Sequence, residues 1–202
     1  MMKLAWRVIT PLIISGMLVG GCGTTPTQSN VSRHVKNNTP PVSPNVTNTT
    51  VSGSSTGGFI SVGSRVPNFT LKNLSGHGQT SLDQLLGKKP LIINAWASWC
   101  PPCQAETPDL EQAFKKFSSQ VQFIGVNLTS IDSVSGAQAF VKKYGVTYPV
   151  LLDTKGQFWQ SYTVLAYPTT FVISPQGKLI YMRIGAMSKS GIAQLVQMAT
   201  SK

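Results

Sequence analysis

Apolar residues are distributed along this chain in three distinct ways. Val8 to Val19 is an almost unbroken apolar run. Residues 23–58 are rich in Thr, Ser, Asn, Pro and Gly and hold no aromatic and no acidic residue. From Phe59 onward, short apolar runs alternate with stretches of helical periodicity. The segments 66–71 and 79–82 predict two strands around a Gly76-His77-Gly78 turn. Residues 83–86 predict a helical turn ending at Gly87, and 90–96 an apolar, buried strand. A helix is expected over 104–117, with Leu110, Phe114 and Phe117 as its core stripe. Residues 121–127 read as a strand. Residues 134–144 read as a helix with Ala139, Phe140 and Tyr144 as its apolar positions. Residues 149–152 read as a short strand and 156–162 as a helical piece. Residues 169–173 and 178–183 flank Pro175-Gln176-Gly177 as a β-hairpin, and a helix over 189–199 closes the chain. This order predicts an α/β fold with a mixed central sheet flanked by helices, over 59–202.

The two earlier segments have other uses. Lys3 and Arg7 precede the apolar run, which is short for a membrane span, and small residues follow it up to Cys22. Residues 1–21 are therefore expected to be a secretion signal. Residues 22–58 bury too little apolar surface to offset their ordering entropy, so they read as a disordered tether. The Asn-x-Thr triplets at Asn45 and Asn48 fall in this tether and carry no weight.

The chain of 202 residues carries 17 basic and 6 acidic residues, a formal net charge of +11, and every acid lies at or beyond Asp83. Over 61–202 there are 13 basic residues against 6 acidic ones, hence +7. The bases are scattered along the sequence, with Lys pairs at 88–89, 115–116 and 142–143, and nothing resembles a nucleic-acid motif with interleaved aromatics. No nucleic acid partner is expected; attraction to anionic lipid or to acidic partners is the functional alternative to generic surface charge.

Two of the three cysteines lie in Trp99-Cys100-Pro101-Pro102-Cys103, at the junction of the 90–96 strand and the following helix. A sulfur at a helix N-terminus is favoured as thiolate by the unpaired N–H groups and the helix dipole, and a second thiol one turn on is within disulfide reach. This suits thiol–disulfide exchange, with Cys100 as nucleophile and Cys103 as the resolving thiol. Zinc needs about four ligands, and only His34, His77 and Cys22 are otherwise on offer, so no metal is expected. Pro101 and Pro102 leave few N–H donors near the Cys100 sulfur, which should limit thiolate stabilisation. Trp99 reads as an exposed rim residue and Trp96 as core. Glu106 lies on the same helix, three residues after Cys103, where it serves either the helix dipole or a proton at the thiols.

These residues resemble the thioredoxin superfamily, and within it the extracytoplasmic TlpA/ResA-like thiol–disulfide oxidoreductases. The resemblance rests on Trp96-Ala97-Ser98-Trp99-Cys100-Pro101-Pro102-Cys103, on Glu106-Thr107-Pro108-Asp109-Leu110 and on Tyr167-Pro168-Thr169-Thr170-Phe171. It also rests on Gly63 through Leu71, which is similar to the added N-terminal hairpin of that branch. The stretch from Asn127 to Pro149 resembles its strand–helix insert. Val19-Gly20-Gly21-Cys22 resembles a lipobox, in which the cysteine becomes lipidated.

The resemblance implies a redox-active Cys100–Cys103 disulfide with no other cofactor, and Glu106 as proton acceptor. It implies a cis peptide bond before Pro168, and a partner-binding rim of Trp99, Pro101, Pro102, Tyr167, Pro168 and Thr169. Asn94 stands where thioredoxin carries a buried acid, which agrees with the narrower branch. The implied partners are protein disulfides, such as those of apocytochrome c, and a membrane thiol-reductase as electron donor. The implied location is the outer face of the bacterial membrane, with attachment through lipid. Two other activities are alternatives. Val66-Pro67-Asn68-Phe69-Thr70-Leu71 also resembles the start of peroxiredoxins, whose Pro-x-x-x-Thr/Ser-x-x-Cys pattern is absent. A copper-delivering thioredoxin-like protein would have a three-residue gap between cysteines and a distal His.

Overall fold

A computed structural model describes residues 60–201. The signal and tether segments and Cys22 lie outside the described residues. Seven strands form one sheet: β1 (Thr70–Asn73), β2 (Gln79–Ser81), β3 (Leu91–Trp96), β4 (Gln122–Asn127), β5 (Val150–Leu152), β6 (Thr169–Ile173) and β7 (Leu179–Ile184). The helices are α1 (Leu82–Leu85), α2 (Pro101–Phe117), α3 (Val134–Tyr144), α4 (Gln157–Ser161) and α5 (Lys189–Thr200). The sheet order is β2-β1-β5-β4-β3-β6-β7. β3, β4 and β5 run parallel, β6 is antiparallel to β3, and β1 is antiparallel to β5. The mixed sheet flanked by helices is as the sequence predicts.

β3 sits between β4 and β6 and is buried along its whole length. Successive side chains of a strand point to opposite faces. Ile92 and Trp96 therefore join one core with Leu110 of α2, Phe140 of α3 and Ile192 of α5. Leu91, Ile93 and Ala95 join the other, with Leu82 of α1 and Phe158 of α4. Trp96 stacks on Phe140 at 4.2 Å, and Phe158 stacks on Tyr162 at 4.1 Å. Asn94 shares the parity of Ile92 and Trp96, which puts a polar side chain on the α2/α5 face.

Several boundaries differ from expectation for identifiable reasons. The strand expected over 66–71 begins only at Thr70. Pro67 has no N–H to give a ladder, and the preceding residues are tied to the β6–β7 turn instead, with the Val66 N–H donating to the Gly177 carbonyl at 2.9 Å. Helix α2 starts at Pro101 rather than at 104, because its first N–H groups have no helical partner and proline costs nothing there. In α3 the buried alanine is Ala137, while Ala139 is exposed. The stretch 128–149 contributes one helix and no strand; the strand of this unit is β5.

The connections set two ends of the molecule. β3 and β4 deliver their C-terminal ends to the segments 97–100 and 128–133. Helix α2 then runs back and ends beside the loop before β3, where Lys89 Nζ donates to the Ser118 carbonyl at 3.0 Å. The β6–β7 turn is at that same far end, since the Gly87 N–H donates to the Pro175 carbonyl at 3.0 Å.

Candidate active site

Cys100 is the N-cap of α2. The Cys100 N–H donates to the Ala97 carbonyl at 3.2 Å, which fixes the tight turn out of β3. Cys103 lies one helical turn on. The two are joined as a disulfide, with Cα atoms 5.3 Å apart, and both are almost fully covered, at 2% and 1% exposure. The two prolines do not strip every donor from the first sulfur: the Cys103 N–H points at Cys100 Sγ, 3.2 Å away. That one donor, with the helix terminus behind it, is what remains to stabilise a thiolate here.

A second segment meets the sulfur from across the sheet. The Tyr167–Pro168 peptide bond is cis, and the Tyr167 carbonyl oxygen lies 3.6 Å from Cys100 Sγ. The Gly185 N–H donates to the Pro168 carbonyl at 2.8 Å, holding this loop to the end of β7. Trp99 is 51% exposed and meets Tyr167 edge to face at 5.2 Å. Pro101 and Pro102 are exposed, Tyr167 is half-buried, and Pro168 and Thr169 are buried. Thr169 turns its hydroxyl back to the Ala166 carbonyl at 2.6 Å, so its side chain is not offered to a partner.

Beneath the disulfide, the inner face of α2 carries a carboxylate in the core. Glu106 is 2% exposed. One oxygen accepts from Asn94 Nδ2 at 2.8 Å and the other from the Met187 N–H at 3.0 Å. Asn94 also donates to Thr170 Oγ1 at 3.0 Å. Burial pushes the Glu106 carboxyl up to about 7, against the two hydrogen bonds, which favour its charged form. An acid with a pKa near neutrality, next to a redox pair, is equipped to exchange protons at physiological pH. Asn94, a non-titrating side chain, positions that acid.

One residue was not singled out in the sequence. Asp132, in the segment before α3, accepts from the Ser98 N–H at 2.6 Å, Ser98 Oγ at 2.7 Å, Asn127 Nδ2 at 2.7 Å and the Ser133 N–H at 2.8 Å. Burial raises its pKa, but these donors outweigh that and hold it below the usual carboxylate value. Trp99 Nε1 donates to the neighbouring Ile131 carbonyl at 3.2 Å. The turn carrying Cys100 is thereby pinned to the 128–133 segment. The only sequence signal was an acid just before the Ser133 N-cap of α3, which by itself reads as ordinary helix capping. Among the described residues no three His, Cys, Asp or Glu side chains gather as a metal site.

Comparisons with known proteins agree with this chemistry. Residues 62–182 match the model of the AhpC/TSA family. The chain is 40% identical over 134 residues to the thiol-disulfide oxidoreductase ResA of Bacillus subtilis, covering 66% of this chain and 73% of that protein. It is 37% identical over 136 residues to the thioredoxin-like protein YneN of the same organism, covering 67% of this chain and 78% of YneN. A thiol:disulfide interchange protein of the thioredoxin family from Chlorobium tepidum superposes with a TM-score of 0.60 at 28% identity, over 69% of this chain and 98% of that one. A disulfide at a helix N-terminus, a cis-proline loop against its first sulfur and kinship of this extent lead to one conclusion: the chain belongs to the AhpC/TSA family, among its ResA-like thiol–disulfide oxidoreductases of thioredoxin fold.

Proposed function

We propose that this oxidoreductase reduces disulfides in protein partners outside the cytoplasm while tethered to the membrane. In this reading residues 1–21 are a signal, Cys22 is the lipidated first residue, 22–58 is the tether and 59–202 is the working domain. The Cys100 thiolate attacks a partner disulfide, expelling one partner thiolate and forming a mixed disulfide. Cys103 gives its proton to the Glu106 carboxylate and attacks Cys100 Sγ. The second partner thiolate leaves, and the Cys100–Cys103 disulfide closes. The partner loses one disulfide and the enzyme gains one, so electrons balance. A membrane thiol-reductase recharges the pair, and the haem-binding cysteines of apocytochrome c are the substrate class the resemblance favours. Trp99, Pro101 and Pro102 form the outer rim, and Tyr167 and Pro168 offer backbone to the partner strand.

The observation that supports this reading is the disulfide at the N-terminus of α2 with the buried Glu106 carboxyl one turn after Cys103, its pKa raised by burial. The test is the equilibrium reduction potential of the Cys100–Cys103 couple in the full chain. A value at or below about −250 mV marks a reductant, whereas one near about −120 mV marks an oxidant and overturns the direction. Cys103→Ser should trap mixed disulfides that identify the partner, and Cys100→Ser should trap none. Hydrogen peroxide consumption at a comparable rate would instead favour a thiol peroxidase, and a stoichiometric copper complex a metal chaperone.

A further inference from the structure

Basic residues that are scattered in the sequence converge in space. Helix α2 ends on Lys115 and Lys116, both exposed. The loop before β3 carries exposed Lys88 and half-buried Lys89, and Lys89 Nζ binds the α2 terminus through the Ser118 carbonyl. Gln122 Nε2 ties the same loop to the start of β4, donating to the Leu85 carbonyl at 2.6 Å. The Gly87 N–H joins it to the β6–β7 turn at Pro175. That turn carries exposed Lys178, bridged to exposed Arg65, whose guanidinium reaches the Gln176 carbonyl at 3.4 Å. Arg65, Lys88, Lys89, Lys115, Lys116 and Lys178 therefore occupy one end of the domain.

The countercharge at this end is small. Asp83 is exposed and lies 3.8 Å from Arg65. Glu111 is buried under the Thr147 N–H and hydroxyl, with Lys115 reaching it at 3.3 Å. The other acids lie elsewhere: Glu106 and Asp153 are buried, Asp132 is bound at the Cys100 turn, and Asp109 is on the middle of α2. Cys100 is at the opposite end of α2, whose 17 residues span about 25 Å. The described chain also begins here. The Gly63 N–H donates to the Leu179 carbonyl at 2.8 Å and the Leu179 N–H to the Ser64 carbonyl at 2.9 Å, so residues 1–59 are joined to the domain at the basic end. Val62, beside that junction, is 68% exposed.

We propose that this end is a docking face for an anionic lipid surface. Docked by it, the domain stands with Cys100 about 25 Å from the headgroups, facing partners in the space beyond. Lysine and arginine near an anionic leaflet are attracted within about a Debye length, about 8 Å at physiological salt, so the interaction needs the face close to the surface. The covalent junction with the preceding chain provides that closeness. Only this last point rests on the tether reading; the face itself does not.

The test is amine acylation of the full chain, read by mass spectrometry, on vesicles of phosphatidylcholine alone and of equal phosphatidylcholine and phosphatidylglycerol. On the anionic vesicles, labelling of Lys88, Lys115, Lys116 and Lys178 should fall at least threefold and recover at about 0.5 M NaCl. Lys155, outside this face, should label as before. Replacing Lys88, Lys115 and Lys116 by Glu should abolish the anionic excess in vesicle binding and leave thiol–disulfide exchange in solution unchanged. Equal labelling on both vesicles with the protein bound to both would overturn the docking face while supporting the tether. Binding to anionic vesicles alone, with the expected footprint, would support the face and overturn the tether. Protection at Lys155 instead, or protection by soluble polyphosphate but not by vesicles, would overturn the proposal.

Discussion

Glu106→Gln is the most informative single change, because one buried carboxyl links stability, pH and proton transfer. The folded protein holds the Glu106 proton up to about pH 7, whereas an ordinary glutamate releases it near 4.5. Between these values this carboxyl binds more protons in the native state than in the unfolded chain, so its contribution to stability is greatest below about pH 4.5 and declines as pH rises to about 7. The rise from 4.5 to about 7, at about 1.4 kcal/mol per pH unit, makes the loss about 3 kcal/mol. Glutamine does not titrate and removes this decline. It also introduces a fixed penalty, since its amide offers one acceptor to the two donors from Asn94 and Met187, and an unsatisfied buried donor costs about 1–3 kcal/mol. The fixed term cancels when the difference between wild type and variant is compared across pH. Urea unfolding of the oxidised proteins at pH 4, 5.5, 7 and 8 gives that difference. The variant should gain about 3 kcal/mol on wild type between pH 4 and pH 8. A difference constant to within about 0.5 kcal/mol would refute the raised pKa, and with it the reason for placing the resolving thiol's proton on Glu106.

Three further outcomes are expected. Asn94→Asp sets a second carboxyl where the amide now donates to Glu106 at 2.8 Å; the pair should retain a proton near neutrality, and unfolding should show a stability deficit larger at pH 8 than at pH 5. Asp132→Asn removes the charge that four donors share, and should cost about 2 kcal/mol in denaturant unfolding at pH 7. Because the Asp132 pKa is depressed, its stabilisation is present above the ordinary carboxylate value and lost as pH falls, so this deficit should shrink toward pH 3. Gly136→Ala would place a Cβ 2.7 Å from Ser98 Oγ and 2.9 Å from Asp132 Oδ1, and should lower stability by about 1–3 kcal/mol in the same assay.

The sequence made the chemistry legible wherever a local pattern carried it. The apolar run before Trp99, the spacing of Cys100 and Cys103 and the Tyr167-Pro168 dipeptide are each contiguous, and each occupies its expected place. The order of elements was legible for the same reason. What the sequence hid is long-range. Asp132 meets Ser98 across 34 residues and Met187 meets Glu106 across 81, and neither pairing leaves a periodic trace. The basic end was hidden likewise: Arg65, Lys88, Lys115 and Lys178 are far apart in the chain and adjacent only through the turns that fold over them. The one misplaced strand, at 66–69, looked apolar enough but lacked the N–H that Pro67 cannot supply.

The Met187 bond has a consequence for how the protein comes into being. Both thiols, Asn94 and Glu106 itself are made in the middle of the chain, while the backbone N–H that completes the carboxylate's setting belongs to the loop before the last helix. A chain synthesised from its N-terminus has a dithiol long before it has both donors to that acid. A polypeptide truncated before Met187 would carry every cysteine and lack one of the two donors to that carboxylate. The two-donor setting of this acid is therefore completed only as the last segment emerges, after both thiols are already in the chain.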